Sequence, residues 1–161
     1  MDTNIVIRLY EPGEVSLVVH FYYKLFEQQF DFLPSTEQYF LHAAAELFDD
    51  CKGNGLWVAE EDGNIIGSIC IVNKGNGTAQ LRLFGTHPSA QGKGIGKKLM
   101  QTAMDFCKEN GYQHIYLWTI DICKAALHLY ENFGFRCTDT KPNDTWANYH
   151  MTEELWEFDK R

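Results

Sequence analysis

The stretch Thr86-His87-Pro88-Ser89-Ala90-Gln91-Gly92-Lys93-Gly94-Ile95-Gly96 holds the residue types in this chain best suited to chemistry on a phosphate. A hydrophobic run with Leu81, Leu83 and Phe84 leads into it as a strand, and an amphipathic helical pattern leads out. A glycine-rich turn between a strand and a helix start brings several backbone N–H groups to one point, where they can bind phosphate oxygens. Gly92, Gly94 and Gly96 let the main chain approach an anion with no Cβ in the way.

Two well-known phosphate loops do not fit these letters. A nucleoside-triphosphate loop needs four residues between its first glycine and a Gly-Lys-Ser/Thr ending. Here Gly96 is followed by Lys97-Lys98, with no hydroxyl. A dinucleotide fingerprint needs a third glycine three residues after Gly94, and that position is Lys97. The pattern Gln/Arg-x-x-Gly-x-Gly/Ala does fit, as Gln91-Gly92-Lys93-Gly94-Ile95-Gly96. On the hexapeptide alone, a glycine-rich helix start without a ligand, or a loop for another phosphate compound, explains the letters too.

The elements that must position this loop follow from periodicity. Residues 5–10 read as a strand ended by Pro12-Gly13. Residues 14–30 set Val15, Val18, Val19, Tyr22, Leu25 and Phe26 at helical spacing. After Pro34, Ser35 or Thr36 can cap a second helix to about Asp49, with Tyr39, Phe40, Ala43, Ala44 and Leu47 on its buried face. Strands are expected at 56–59, 65–72 and 78–86, joined by turns at Asp62-Gly63-Asn64 and Gly75-Asn76-Gly77. A helix from about Gly94 to Lys108 carries Ile95, Leu99, Ala103 and Phe106 on one face and stops at Asn110-Gly111. A strand at 114–119, a short helix at 122–132, a strand from Phe135 through Thr138 and a last strand at 151–158 complete the order. The pattern predicts one mixed α/β (α+β) domain over residues 1–161, with a central, mostly antiparallel sheet flanked by helices.

Composition narrows the class. A chain of 161 residues with 45% hydrophobic and 22% charged residues suits one globular core. No apolar run is long enough for a membrane helix. Asp2, Arg8, Glu11 and Glu14 break any signal-peptide pattern, so a soluble cytoplasmic protein is expected. Five scattered cysteines (51, 70, 107, 123, 137) show no C-x-x-C pair and read as reduced thiols, mostly in the core. No paired Cys/His spacing and no H-E-x-x-H occurs, so no metal site is expected. The formal net charge of −8 argues against a nucleic-acid backbone as partner.

The loop and this element order resemble the GNAT family of N-acetyltransferases, whose pyrophosphate-binding loop holds acetyl-CoA. A second segment, Ala126-Leu127-His128-Leu129-Tyr130-Glu131-Asn132-Phe133-Gly134-Phe135, is similar to the family's A-x-x-x-Tyr-x-x-x-Gly-Phe signature. The resemblance covers residues 5–158, with the specific motifs inside 81–135. The runs Leu81-Arg82-Leu83-Phe84 and Tyr116-Leu117-Trp118-Thr119 also resemble the acetyltransferase half of bacterial fusions to MarR-type regulators. No helix-turn-helix module precedes them in this sequence, so DNA binding is not carried over.

The resemblance implies an acetyl-CoA-dependent N-acetyltransferase that moves an acetyl group directly to a primary amine, with no metal. Gln91, Gly92, Lys93, Gly94, Ile95, Gly96 and Lys97 would hold the pyrophosphate. Phe84, Gly85 and Thr86 would lie along the pantetheine arm on a strand that splays from its neighbour. Ala126 and Cys123 would face the cofactor, Cys123 standing where the family often has asparagine. Tyr130 would protonate the departing thiolate. Lys93, Lys97 and Lys98 either add charge to the loop or are solvated surface lysines. The general base stays open among Glu60, Glu61, Asp121 and His87, each of which also reads as an ordinary surface or turn residue. The acceptor, a small-molecule or peptide amine, would enter between the first two helices and the late strands. Those segments are rich in aromatics (Phe21, Tyr22, Tyr23, Phe26, Phe30, Phe32, Tyr39, Phe40, Trp146, Tyr149), and Glu27, Asp31 and Glu37 could attract an ammonium. A non-catalytic acyl-CoA-binding sensor or regulatory module is the alternative from another class. A homodimer through edge strands is compatible with the family and demanded by nothing in the sequence.

Overall fold

Leu56-Trp57-Val58-Ala59 and Ile69-Cys70-Ile71-Val72 are unbroken apolar runs, the pattern of strands covered on both faces. The computed structural model, which describes residues 4–49 and 52–160, shows why. Leu56, Val58, Cys70 and Val72 pack into one core cluster, while Trp57, Ala59, Ile69 and Ile71 pack into another on the opposite face. Asp50, Cys51 and the chain ends lie outside the described residues, so the reading of Cys51 as a core thiol does too.

In chain order the elements are β1 (Ile5–Leu9), α1 (Val15–Phe30), α2 (Thr36–Ala45), β2 (Gly55–Glu61), β3 (Asn64–Gly75), β4 (Thr78–Thr86), α3 (Ile95–Glu109), β5 (His114–Ile120), α4 (Lys124–Asn132), β6 (Arg136–Asn143) and β7 (Met151–Asp159). The described strands form one seven-stranded sheet, ordered β1-β2-β3-β4-β5-β7-β6. β1 to β4 are an antiparallel meander, β5 joins β4 in parallel, and β7 and β6 extend the sheet antiparallel. Helices α1 and α2 cover one face through Val18, Val19, Phe26 and Phe40, joined by Leu47 of the short turn that follows α2. Helix α3 covers the other through Ile95, Leu99, Met100, Ala103 and Cys107, with Phe106 packed beside them.

The tight turns follow from residue type. Asp62 and Gly63 take φ of 51° and 83°, and Asn76 and Gly77 take 55° and 77°. Two successive positive φ values match the right-handed twist of a hairpin, which is why Asp-Gly and Asn-Gly occur there.

Three expectations need correction. The sixth strand does not stop at Thr138 but runs to Asn143, with Pro142 tolerated because β6 is the sheet edge. The second helix ends at Ala45 and tightens into a 3-10 turn at Glu46–Phe48. Tyr39 is 40% exposed rather than buried, its ring leaning on Trp146 at 5.1 Å between centroids.

Candidate active site

β4 and β5 part company in the middle of the sheet. They pair only at Thr78–His114, Ala79–Ile115 and Gln80–Tyr116, so residues 81–86 have no ladder partner on β5. A bulge helps to drive the strands apart. On β3, Cys70 pairs with Arg82 but Ser68 pairs with Gly85, which leaves one extra residue on β4. Leu83 carries the strain with φ of 52°, the one described residue at positive φ that is neither Gly, Asp nor Asn. The buried Ser68 hydroxyl donates to the Leu83 carbonyl at 2.6 Å and holds the distortion in place. The bulge also resets the strand's alternation: Leu81 and Phe84 face the α3 side, Leu83 the α1–α2 side.

A cleft of about 820 Å³ opens beside this fork. Phe84, Gly85 and Thr86 line it from β4, Gln91, Gly92, Gly94, Ile95, Gly96 and Lys97 from the loop and the start of α3, and Cys123 and Ala126 from the start of α4. Lys93, expected with them, is exposed and off the cleft wall, as is Lys98. Gly92 and Gly94 sit at φ of 81° and 75°, and nothing lies within 4 Å of where a Cβ would stand. Gly94 caps α3 with no side-chain hydrogen bond, so the first-turn N–H groups have no protein acceptor and face a place for an anion. Gly96 serves packing instead: a Cβ there would meet Leu129 Cδ1 at 3.0 Å, closing the contact between α3 and α4. Phe30, singled out in the sequence as a pocket aromatic, lines the far wall, but sequence reasoning missed Leu25 and Gln29 of α1 and Lys124, His128 and Leu129 of α4 beside it. The helical spacing of 122, 125, 126 and 129 was the available signal for the α4 part.

A second, smaller cavity of about 80 Å³ lies between the parted strands and shares Phe26, Phe84, Cys123 and Ala126 with the cleft. Tyr130 lines it, 4% exposed, with Phe84, Phe135 and Trp156 rings at 5.9–6.2 Å. Burial pushes its phenol well above the usual range, a Cys123 thiolate would push it further, and the Thr119 hydroxyl acts weakly the other way. The phenol is therefore a proton donor held neutral. Burial likewise pushes the Cys123 thiol up to about 12, with Asp121 adding to the effect and Thr119 opposing it. Tyr22, Phe26, Phe32, Tyr39, Phe40 and Trp146 supply the aromatic wall, so six of the ten aromatics singled out in the sequence converge here.

Three of the four residues considered as bases have other employment, while Glu61 Oε2 is buried without a hydrogen-bond partner. His87 Nδ1 accepts from the Ser89 amide at 3.1 Å and caps the short turn Pro88–Ala90. Asp121 accepts from the Thr152 amide at 3.0 Å, and Glu60 pairs with Arg8 at 3.4 Å. None of these, nor Glu61, lines either recess. Glu27, Asp31 and Glu37 line neither recess, and Glu27 is bound by Tyr23 and Lys24. The charged side chains that do line them are Lys97 and Lys124 in the cleft and Arg82 in the cavity. A protein of formal charge −8 thus presents only positive charge to these two recesses. Among the described residues no group of three or more His, Cys, Asp or Glu could hold a metal ion, and no helix is long and apolar enough to cross a membrane.

Residues 19–135, which include the loop, the fork and Tyr130, match the sequence profile of the acetyltransferase (GNAT) family. The chain belongs to the GNAT family. It is 35% identical to rat N-acetyltransferase 8 over 102 residues, 59% of this chain and 46% of that protein. It is 32% identical to the Escherichia coli N-acetyltransferase YjgM over 90 residues, 54% of each chain. The chain spans about half the length of the curated relatives it matches. Its fold is that of a GNAT acetyltransferase from Staphylococcus aureus Mu50, with a TM-score of 0.79 at 21% identity over 98% of this chain and 99% of that one. It is also similar to an acetyltransferase from Salmonella typhimurium solved with its cofactor acetyl-CoA, with a TM-score of 0.71 at 17% identity over 98% and 94% of the chains.

Proposed function

We propose that this chain transfers the acetyl group of acetyl-CoA to a primary amine by direct attack, without an acetylated protein side chain. The observation that carries the reading is the meeting of two recesses at the fork: a glycine-lined cleft with helix-start amides and a cavity holding a buried, neutral Tyr130. The residues fit the cofactor. The open space over Gly92 and Gly94 leaves room for a pyrophosphate against the backbone, and Lys97 and Lys124 add attraction. Bound acetyl-CoA supplies an activated acetyl thioester.

The chain's own residues then divide the work. The amides of Gly92 and of residues 94–97 hold the pyrophosphate, favoured by the positive end of α3, while the Gln91 and Lys93 amides bond the Pro88 and Ala90 carbonyls. The main chain of Phe84, Gly85 and Thr86, without a ladder partner on its β5 side, lines the arm's path and offers an N–H to the carbonyl where negative charge develops. Phe84 and the aromatic wall exclude water. The neutral amine nitrogen forms its bond to the acetyl carbon and then loses a proton to water, the carbon–sulfur bond breaks, and Tyr130 gives its phenolic proton to sulfur and is reprotonated from water. Neither recess is lined by Asp or Glu, so the amine reaches the carbonyl already neutral or sheds its proton to water.

That missing carboxylate, with Cys123 in place of the family's usual asparagine, favours one second reading: a module that binds acyl-CoA without turning it over. The finer likeness to the acetyltransferase half of MarR-type fusions rests on residues 81–84 and 116–119, which flank the fork. Calorimetric titration with acetyl-CoA, with ATP and NAD as controls, followed by thiol release on a broad amine panel, tests both. CoA-selective micromolar binding with amine-dependent thiol release supports transfer. Binding without release on any amine supports the sensor, and no binding by folded protein ends both.

A further inference from the structure

Arg82 is the one charged side chain on the wall of the smaller cavity, and its surroundings say what it waits for. Its side chain is 12% exposed. One Nη donates to Glu46 at 2.6 Å, and the guanidinium lies 5.9 Å from the Tyr39 ring centroid. Glu46 is shared, since Lys74 also reaches it at 2.5 Å. Burial pushes the Glu46 carboxyl up, but Lys74 and Arg82 together outweigh it and hold it below the usual range. The cluster therefore sets two cations against one carboxylate. The other edge of Arg82, Nε and the second Nη, has no acceptor among the described residues.

A half-paired guanidinium beside an aromatic cavity is costly unless a partner arrives. Its planar fork matches a carboxylate. An ammonium has no counterpart, because no Asp or Glu lines the cavity. The expected attraction of a cationic amine by acidic neighbours is thus replaced by its opposite. Arg82 and Tyr130 line the same cavity, so a short ligand can turn its amine toward one and its carboxylate toward the other. A lysine side chain on a polypeptide has no carboxylate that near its amine, and a peptide N-terminus has an amide there instead. Tyr22, Phe40, Trp118 and Trp146 offer an apolar wall to a side chain.

We infer that the acceptor is a free α-amino acid with an apolar or aromatic side chain, its carboxylate held by Arg82. This rests on the transfer reading. The new bond joins the amino nitrogen to the acetyl carbon as the carbon–sulfur bond breaks; nitrogen loses a proton to water, the CoA sulfur takes the Tyr130 proton, and Tyr130 is reprotonated from water, leaving the N-acetyl amino acid and CoA.

Two assays on the full chain test it. Calorimetry on CoA-saturated protein compares N-acetylphenylalanine with N-acetylphenylalaninamide, and thiol release compares phenylalanine with phenylalaninamide and phenethylamine. The acid is expected to lead its amide by about tenfold or more in both, the range of a charge-assisted hydrogen bond. Arg82→Met should bring that ratio to about one, and Arg82→Lys should keep part of it. The wild-type ratios stand even where a variant fails to fold. Equal or better performance by the amide, no binding of either product, or a preference that survives Arg82→Met in folded protein overturns the inference. Acid-selective binding with no transfer to any amine keeps the carboxylate site and sinks the transfer reading. Transfer without acid preference does the reverse.

Discussion

The cleft and the cavity touch at Phe84 and Cys123 yet are made of different material. The cleft is main chain: positive-φ glycines, the uncapped start of α3, and a strand edge with no partner on β5. The cavity is side chain: aromatics from α1, α2 and the β6–β7 connection, Arg82 from β4 and Tyr130 from α4. Backbone recognition suits a ligand part that is the same in every turnover, since amides read charge and shape rather than identity. Side-chain walls suit the part that differs between relatives, since each contributing residue can change without disturbing the sheet. The difference locates constancy in one recess and specificity in the other.

The comparison breaks most visibly at Tyr130. Tyr130→Phe removes a proton donor while keeping the ring that packs on Phe84, Phe135 and Trp156. Turnover should fall by about 100-fold or more, with the acetyl-CoA Kd from calorimetry within error of wild type. An unchanged kcat on a verified amine removes Tyr130 from the chemistry. Because burial raises this phenol, its protonated form persists past pH 10, the ordinary tyrosine value. The kcat profile should show no alkaline limb from Tyr130 below that pH.

The cleft should respond in the opposite sense. Gly94→Ala places a side chain at φ of 75° in an exposed loop, which will relax by paying less than the strain of about 1–2 kcal/mol. The amide array loses its preset geometry, so the acetyl-CoA Kd should rise about fivefold or more. A rise in the acceptor KM alone would contradict the division between the two recesses.

Ser68 tests what holds the recesses apart. Ser68→Ala leaves the strained Leu83 carbonyl without its 2.6 Å hydrogen bond in a fully buried place. A stability loss of about 1–3 kcal/mol by denaturant titration is expected, together with a lower kcat. Full stability would mean that the bulge is held by packing alone.

The smallest effect lies far from the fork. Hydrogen bonds from Arg8, with help from the Glu11 amide, hold the Glu14 carboxyl at about 2 despite the opposing effect of burial. A depressed folded value means that the stabilisation is present above the unfolded value of 4.5 and is lost as pH falls toward 2. Glu14→Gln should flatten the acid limb of the stability–pH curve while leaving acetyl-CoA binding at neutral pH as it was.

Most of the element order was legible because its signals are local. Periods of two and 3.6, Asp-Gly and Asn-Gly turns and Asn110-Gly111 need no knowledge of distant residues. The misjudged elements were those where a neighbour decides. β6 persists through Pro142 because β7 supports it on one side and its other side has no strand to pair. Tyr39 turns outward because the cavity wall and Trp146 hold it there. The conformation of the glycine loop was legible for the same local reason, since a short run of letters dictates its φ angles. Lys93 is exposed and off the cleft wall, which only the path of the loop could show.

By itself the sequence determined the loop, the helix it opens, the tyrosine that follows and the family these place the chain in. Each depends on residues near one another along the chain, where sterics and hydrogen-bond geometry act directly. Only the tertiary structure decided the fork, because one extra residue on β4 against β3 shows solely in the pairing register. It alone decided that Arg82 faces an aromatic cavity with no carboxylate on its wall. That arrangement gathers α1, α2, β4, β5, α4 and the β6–β7 connection, and packing, not spacing, brings them to one place.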